Sequence, residues 1–258
     1  MSPQGHLHVT VFPNDRVAAR ALARRLADAI AEQPSLVLGL ATGRTPIRLY
    51  HELSHLVSRG QADLSQVRTF NLDEFVGLDG SHPGSYRQFM QTHLFGPAGI
   101  PAEHIHFLNG AAANLEEECD RYEAAIADAG GIDIQILGIG TNGHIGFNEP
   151  ARELCARTHR VALKASTRHS NAGLFGGDEA AVPKEALSMG MATILRAKSI
   201  VLLATGKSKV SCVAQAVQGP VTTRMPASFL QLHRDVELVL DEAAAKDLRD
   251  SERSQSIG

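Results

Sequence analysis

The sequence predicts an α/β protein: an open, mostly parallel sheet with helices on both faces, Rossmann-like and doubly wound, with residues 1–258 forming one domain and a lid segment near 165–183. Three observations predict it. Short β-branched or Leu-rich runs alternate with longer helical patterns, the rhythm of parallel strands joined by crossover helices. The run Ile132–Ile139 reads as a strand covered on both faces, and Ser199–Ala204 and Val236–Leu240 repeat that pattern. With 258 residues, 43% of them hydrophobic, the chain can bury a full core.

The elements follow in order. Leu7–Phe12 reads as a strand, and Asn14 can cap a helix running to about Glu32. Val17, Ala21, Leu22, Leu26, Ala29 and Ile30 fall on one face of that helix. Ser35–Leu40 is a second strand, with a helix beginning at Pro46. Val67–Leu72 is a third strand; Ser85–Phe95 and Asn114–Ala129 are helical. A helix is expected after each of the strands Ser199–Ala204 and Val236–Leu240. The segment Ala165–Pro183, with GLFGGDEAA inside it, has little periodicity and reads either as a mobile lid over a site or as a surface excursion. The C-terminal SERSQSIG reads as frayed.

Composition removes several function classes. A net charge of −3 gives no nucleic-acid footprint and no charged tail. The longest apolar stretches are about one strand long, so no membrane span is expected. The start MSPQGHLH has no apolar core of a signal peptide. Cys119, Cys155 and Cys212 are odd in number, far apart and without a CxxC pair, which argues against a disulfide framework or a zinc site and for a reducing compartment. The expectation is a soluble, cytoplasmic protein.

Ligands bind such sheets beyond the carboxyl ends of the strands, and the unusual residues cluster there. In LGLATGRTP (38–46) a strand runs into Thr42, Gly43, Arg44 and Thr45 before a helix start. Exposed N–H groups, a helix dipole and two hydroxyls make an anion pocket; an ordinary Gly-rich turn is the alternative. The motif lacks the GK[ST] ending of a Walker A loop. In FNLDEF (70–75), Asp73 and Glu74 follow a buried strand, so one can face a crevice while the other makes a structural hydrogen bond; a cap or turn acid is the alternative. In GIGTNGHIGFNEP (138–150), glycines let the backbone approach a ligand, and Asn142, His144 and Glu149 share one loop. A His flanked by a carboxylate and an amide can have its tautomer fixed. A metal reading fails on spacing: there is no HExxH and no third ligand. In ATGKSKV (204–210), Lys207 and Lys209 sit either where an anion would bind or on a solvated basic turn.

Taken together, LGLATGxTP, FNLDEF, GIGxNGHIGFNEP, VPKEALSMGMATIL and GKSK, in this order from about Leu36 to Asp241, resemble the glucosamine-6-phosphate deaminase family. The related 6-phosphogluconolactonases share the fold and a Gly-His loop but lack FNEP. The resemblance implies conversion of glucosamine 6-phosphate and water to fructose 6-phosphate and ammonia, in amino-sugar catabolism, without a cofactor or metal. It implies Asp73 as the base at C2, His144 as the ring-opening group, and Glu149 with Asn142 as its orienting partners. It implies phosphate binding by Thr42, Gly43, Thr45 and Lys209. The partner is a small amino-sugar phosphate; monomers and higher assemblies both occur in the family, so a homo-oligomer stays open.

Three positions depart from the pattern. Asn142 stands where many members have Asp. Arg44 replaces the second glycine of the phosphate loop. Gly173 stands where the family places an Arg that binds the phosphate. Arg44 beside a helix N-terminus is well placed for bidentate phosphate contact and is expected to replace that guanidinium; a pocket of weaker affinity, or a changed amino-sugar substrate, is the alternative. His159 and Val161 stand where allosteric members carry basic residues, so no activation by an acetylated sugar phosphate is expected. The rival functions are a sugar-lactone hydrolase and a sugar-phosphate-binding regulator.

Overall fold

The computed structural model describes residues 6–249 and the short strand 254–255. Its centre is a sheet of β1 (His6–Phe12), β2 (Val37–Leu40), β3 (Arg68–Asn71), β5 (Ile105–His106), β6 (Ile134–Leu137), β9 (Ser199–Ala204), β10 (Asp235–Asp241) and β11 (Ser254–Gln255). The order is β11-β1-β10-β9-β6-β2-β3-β5, and every pairing is parallel. A smaller antiparallel sheet holds β4 (Asp73–Phe75), β8 (Glu185–Ser188) and β7 (His159–Ala162).

Alternate residues of the central strands feed two cores, one on each face, as the two-residue repeat of a strand requires. Leu38, Leu40, Ile136, Val201 and Leu203 face one core, with α1 (Asp15–Glu32) and α2 (Arg44–Ser58). Val37, Leu137, Ile200 and Leu202 face the other, with α5 (Leu115–Asp128) and the helix Val210–Gln218. The doubly wound arrangement is therefore as the alternation predicts. Among the described residues, no helix is long and apolar enough to cross a membrane.

Asn14 caps α1 as read from the sequence. Asn14 Oδ1 accepts from Val17 N at 3.0 Å, and Asn114 caps α5 in the same way. Several details differ. Val17 is 40% exposed, because the buried stripe of α1 runs instead through Ala18, Ala19, Leu22, Ala23, Leu26, Ala27 and Ile30, where small side chains allow close packing on the sheet and α2. Helix α2 starts at Arg44, so Pro46 is its third residue, still among the positions whose N–H has no intrahelical partner. The helix over 85–95 divides into α3 (Tyr86–Met90) and a π-helical turn, Gln91–Phe95, before α4 (Gly96–Ala98). A turn, not a helix, follows β10: Asp241 accepts from Ala244 N and ends the strand there. The C-terminal stretch lies outside the described residues, except that Ser254–Gln255 pair with Thr10 and Val11.

The largest correction is in 165–183. It is not a structureless loop: α6 (Ala165–Asn171) leads into 3-10 turns at Ala172–Phe175 and Glu179–Ala181. Its composition hid the helix, since Thr167 is the only residue that α6 buries.

Candidate active site

The chain runs outward from β2 to β3 and β5, then returns to lay β6 on the opposite side of β2. Neighbouring strands whose following loops leave in opposite directions open a crevice at their carboxyl ends. The loops after β2 and β6 are the motifs 41–45 and 138–150. Between them lies a cavity of about 990 Å³. Thr42, Gly43, Arg44 and Thr45 line it, as do Asp73, Asn142, His144 and Lys209. Glu74, Glu149 and Lys207, also singled out in the sequence, are not in its wall.

Gly43 has φ 104°, a backbone region that side chains rarely adopt, and it turns the chain from β2 into α2. No side chain caps that helix, so its first N–H groups are available to an anion. Arg44 occupies the first helical position, exposed, with no hydrogen-bond or ion-pair partner among the described residues. Lys209 also lines the cavity and donates from Nζ to Ile139 O at 2.6 Å. Burial lowers its pKa, and the neighbouring Cys212 partly offsets this. The two lysines of the GKSK stretch thus part: Lys207 points to solvent. The turn that delivers Lys209 is held by Asp241, whose two carboxylate oxygens each accept from Gly206 N at 3.0 Å.

The adjacent acids also part. Glu74 accepts from Phe75 N, Ser85 Oγ, Tyr86 N and Arg87 N at 2.6 to 3.0 Å, tying β4 to the start of α3. Burial raises its pKa against those four donors. Asp73 is 5% exposed, and its Oδ1 has no hydrogen-bond partner. Burial, then the charge of Glu74, pushes its carboxyl up to about 8 against a hydrogen bond from Thr42. A carboxylate held this way is a strong base once ionised and is poised near neutral pH.

Across the cavity, His144 Nδ1 lies 2.7 Å from Asn142 Oδ1 and 3.5 Å from Glu149 Oε1. Asn142 Nδ2 donates to Glu149 Oε2 at 2.7 Å, so the amide bridges the imidazole and the carboxylate. Glu149 is buried behind His144. Its desolvation is outweighed by the hydrogen bond and charge of His144 and by donors from Thr167 and Asn142, which bring its pKa down to about 2. The ring stacks so closely on the loop that a Cβ at Gly140 would sit 2.2 Å from His144 Cε1.

Two cavity residues carried no signal in the sequence. Tyr86, 5% exposed, donates from its hydroxyl to Asn171 Oδ1 at 2.8 Å and also meets the Thr42 hydroxyl. Thr167 Oγ1 donates to Glu149 Oε1. Both belong to a network that only the fold assembles. Ser166, Asn171 and Gly173 also line the cavity, so the first half of 165–183 forms part of its wall and is not a distant excursion. A Cβ at Gly173 would meet nothing within 4 Å. Among the described residues, no group of three His, Cys, Asp or Glu side chains is placed to hold a metal ion.

Comparison with known proteins agrees with this geometry. The family model described as glucosamine-6-phosphate isomerases/6-phosphogluconolactonase matches residues 15–240. The chain is 45% identical over 243 residues to the glucosamine-6-phosphate deaminase of Clostridium perfringens, covering 94% of this chain and 100% of that protein. It is 48% identical over 239 residues to the enzyme of that name from Rhodopirellula baltica, covering 93% and 95%. A solved monomeric glucosamine-6-phosphate deaminase superposes with a TM-score of 0.89 at 42% identity, covering 94% of this chain and 100% of that one. The 6-phosphogluconolactonase from Trypanosoma cruzi superposes at 0.74 with 21% identity, over 95% and 98%, a likeness of fold alone.

Proposed function

The chain belongs to the glucosamine-6-phosphate isomerase/6-phosphogluconolactonase family, and from that premise we infer that it catalyses the isomerising deamination of glucosamine 6-phosphate. Water and the amino-sugar phosphate give fructose 6-phosphate and ammonia. The observation that carries this reading is the unpartnered oxygen of Asp73 in the wall of a cavity that His144 also lines.

In this reading the phosphate docks at the amino end of α2, on Thr42, Gly43, Thr45 and Lys209, with Arg44 as a second cation. His144, held by Asn142 and Glu149, takes the anomeric hydroxyl proton and gives one to the ring oxygen, opening the pyranose. Asp73 takes the proton from C2 and returns it at C1, while the nitrogen gives up a proton and the aldehyde oxygen gains one, so that C1 becomes CH2OH and C2 an imine. Water adds there and the nitrogen leaves as ammonia, so the last step is hydrolytic at a carbon–nitrogen bond. No step needs an external oxidant or reductant, and the residues named supply the proton transfers. Lactone hydrolysis would need no carbon base, and Asp73 favours deamination for that reason.

The test is a coupled assay for fructose 6-phosphate and for ammonia over a panel of amino-sugar phosphates. Equal yields of both from glucosamine 6-phosphate are expected. Absence of either product from every substrate in the panel would sink the reading.

A further inference from the structure

Helix α6 makes two side-chain hydrogen bonds into the site, four residues apart and thus on one helical face. Thr167 Oγ1 donates to Glu149 Oε1, the same oxygen that lies 3.5 Å from His144 Nδ1. Asn171 Oδ1 accepts from the hydroxyl of Tyr86, which also meets Thr42, the residue bonded to Asp73. The backbone joins the two contacts: Asn171 Nδ2 donates to Thr167 O at 2.9 Å. Thr167 is 3% exposed, buried in a helix whose other residues are not. Thus one short helix is held by Thr167 to the Glu149 partner of His144 and by Asn171 to Tyr86, whose hydroxyl leads through Thr42 to Asp73.

We propose that Thr167 is a positioning residue: its hydroxyl fixes the Glu149 carboxylate, and through it the His144 ring, while Asn171 sets the Tyr86–Thr42 side of the same cavity. Helix α6 is then a tie between the two halves of the site. A carboxylate accepting one bond from Asn142 and one from Thr167 has a single orientation, and its Oε1 stays aimed at the imidazole. Without the hydroxyl, the carboxylate can rotate about its terminal torsion, where side chains have broad minima.

The inference rests on the deaminase reading for its kinetic test but has a test that does not. Thr167→Val keeps the shape and removes the donor; Thr167→Ser keeps the donor. The Val variant is expected to lose about tenfold or more in kcat, as loss of a hydrogen bond to a charged group implies. Its KM should stay within about threefold of wild type, and the acid limb of its kcat profile should move up in pH. The Ser variant should recover most of the rate. In carbon-13 NMR, the Glu149 carboxyl should titrate at higher pH in the Val variant than in wild type or the Ser variant. Asn171→Ala combined with Thr167→Val should be non-additive. Val within twofold of wild type, Ser as slow as Val, or a rise in KM at unchanged kcat would each overturn the proposal. If wild type itself turns over no amino-sugar phosphate, the reaction assignment fails, while the Glu149 titration still decides the role of Thr167.

Discussion

Asp73 and Glu74 are neighbours on one three-residue strand, yet Glu74 accepts four hydrogen bonds while Oδ1 of Asp73 accepts none. The pleat turns one acid into the joint between β4 and α3 and leaves the other facing the cavity.

Asp73→Asn should abolish exchange of solvent deuterium into C2 or C1 while leaving substrate binding largely intact. Exchange at the wild-type rate would remove Asp73 as the base. The stability effect has a definite sign. The folded pKa of about 8 lies above the unfolded value near 3.8. Stability held by the protonated carboxyl is therefore complete below pH 4 and lost as pH rises from 4 to 8. The Asn variant should escape that loss, so its thermal midpoint should exceed wild type by more at pH 8 than at pH 5.

His144→Ala and Glu149→Gln should be non-additive, because the glutamate acts through the imidazole. Strictly additive losses in kcat would separate them. Glu149 titrates in the opposite sense to Asp73: its folded pKa, about 2, is below the unfolded value of 4.5. Its contribution is present above pH 4.5 and fades as pH falls toward 2, a dependence that Glu149→Gln should flatten in acid denaturation curves. Chelators should leave activity unchanged; loss on chelation, restored by a divalent ion, would overturn that expectation.

Gly140→Ala should cost at least about a hundredfold in kcat without unfolding the protein, since misplacing a catalytic group by about 1 Å is that expensive. The added carbon would fall within 2.5 Å of three atoms of the His144 ring, which must tilt away. Circular dichroism should match wild type. Near-normal turnover would mean that the ring position is not critical.

Arg44→Gly should raise KM for the phosphorylated sugar roughly tenfold to a hundredfold, the loss expected of a charged hydrogen bond of about 1.5–3 kcal/mol. Adding Gly173→Arg should restore part of it. The site is open to that side chain, since nothing lies within 4 Å of a Cβ there, and Gly173 lines the same cavity. An unchanged KM for every sugar phosphate tested would make Arg44 a surface residue.

The longer parallel strands were legible because burial on both faces leaves continuous apolar runs, as in Ser199–Ala204. The antiparallel sheet was not: β4 has three residues, and β7 only half-buried alternate positions. Helix α6 was hidden because polar bonds to the site hold it where an apolar stripe would otherwise do so. The site itself was readable wherever a motif followed a strand, since the sheet gathers strand ends at one edge. Tyr86 and Thr167 were not readable, because a hydroxyl that serves a residue 18 positions away leaves no pattern in the chain.

The order of the sheet also shapes how the chain must fold. Among the described residues β1 pairs with β10 and β11, with His6 opposite Asp235, so a strand made before the rest of the sheet takes its neighbours from segments far along the chain. Until β10 is made, β9 and β1 each present an unpaired edge where it will lie. Closing so long a loop is slow, and exposed strand edges invite association with other chains in the meantime. Synthesis of this protein therefore carries a window of vulnerability that closes only when β10 slides in between β9 and β1.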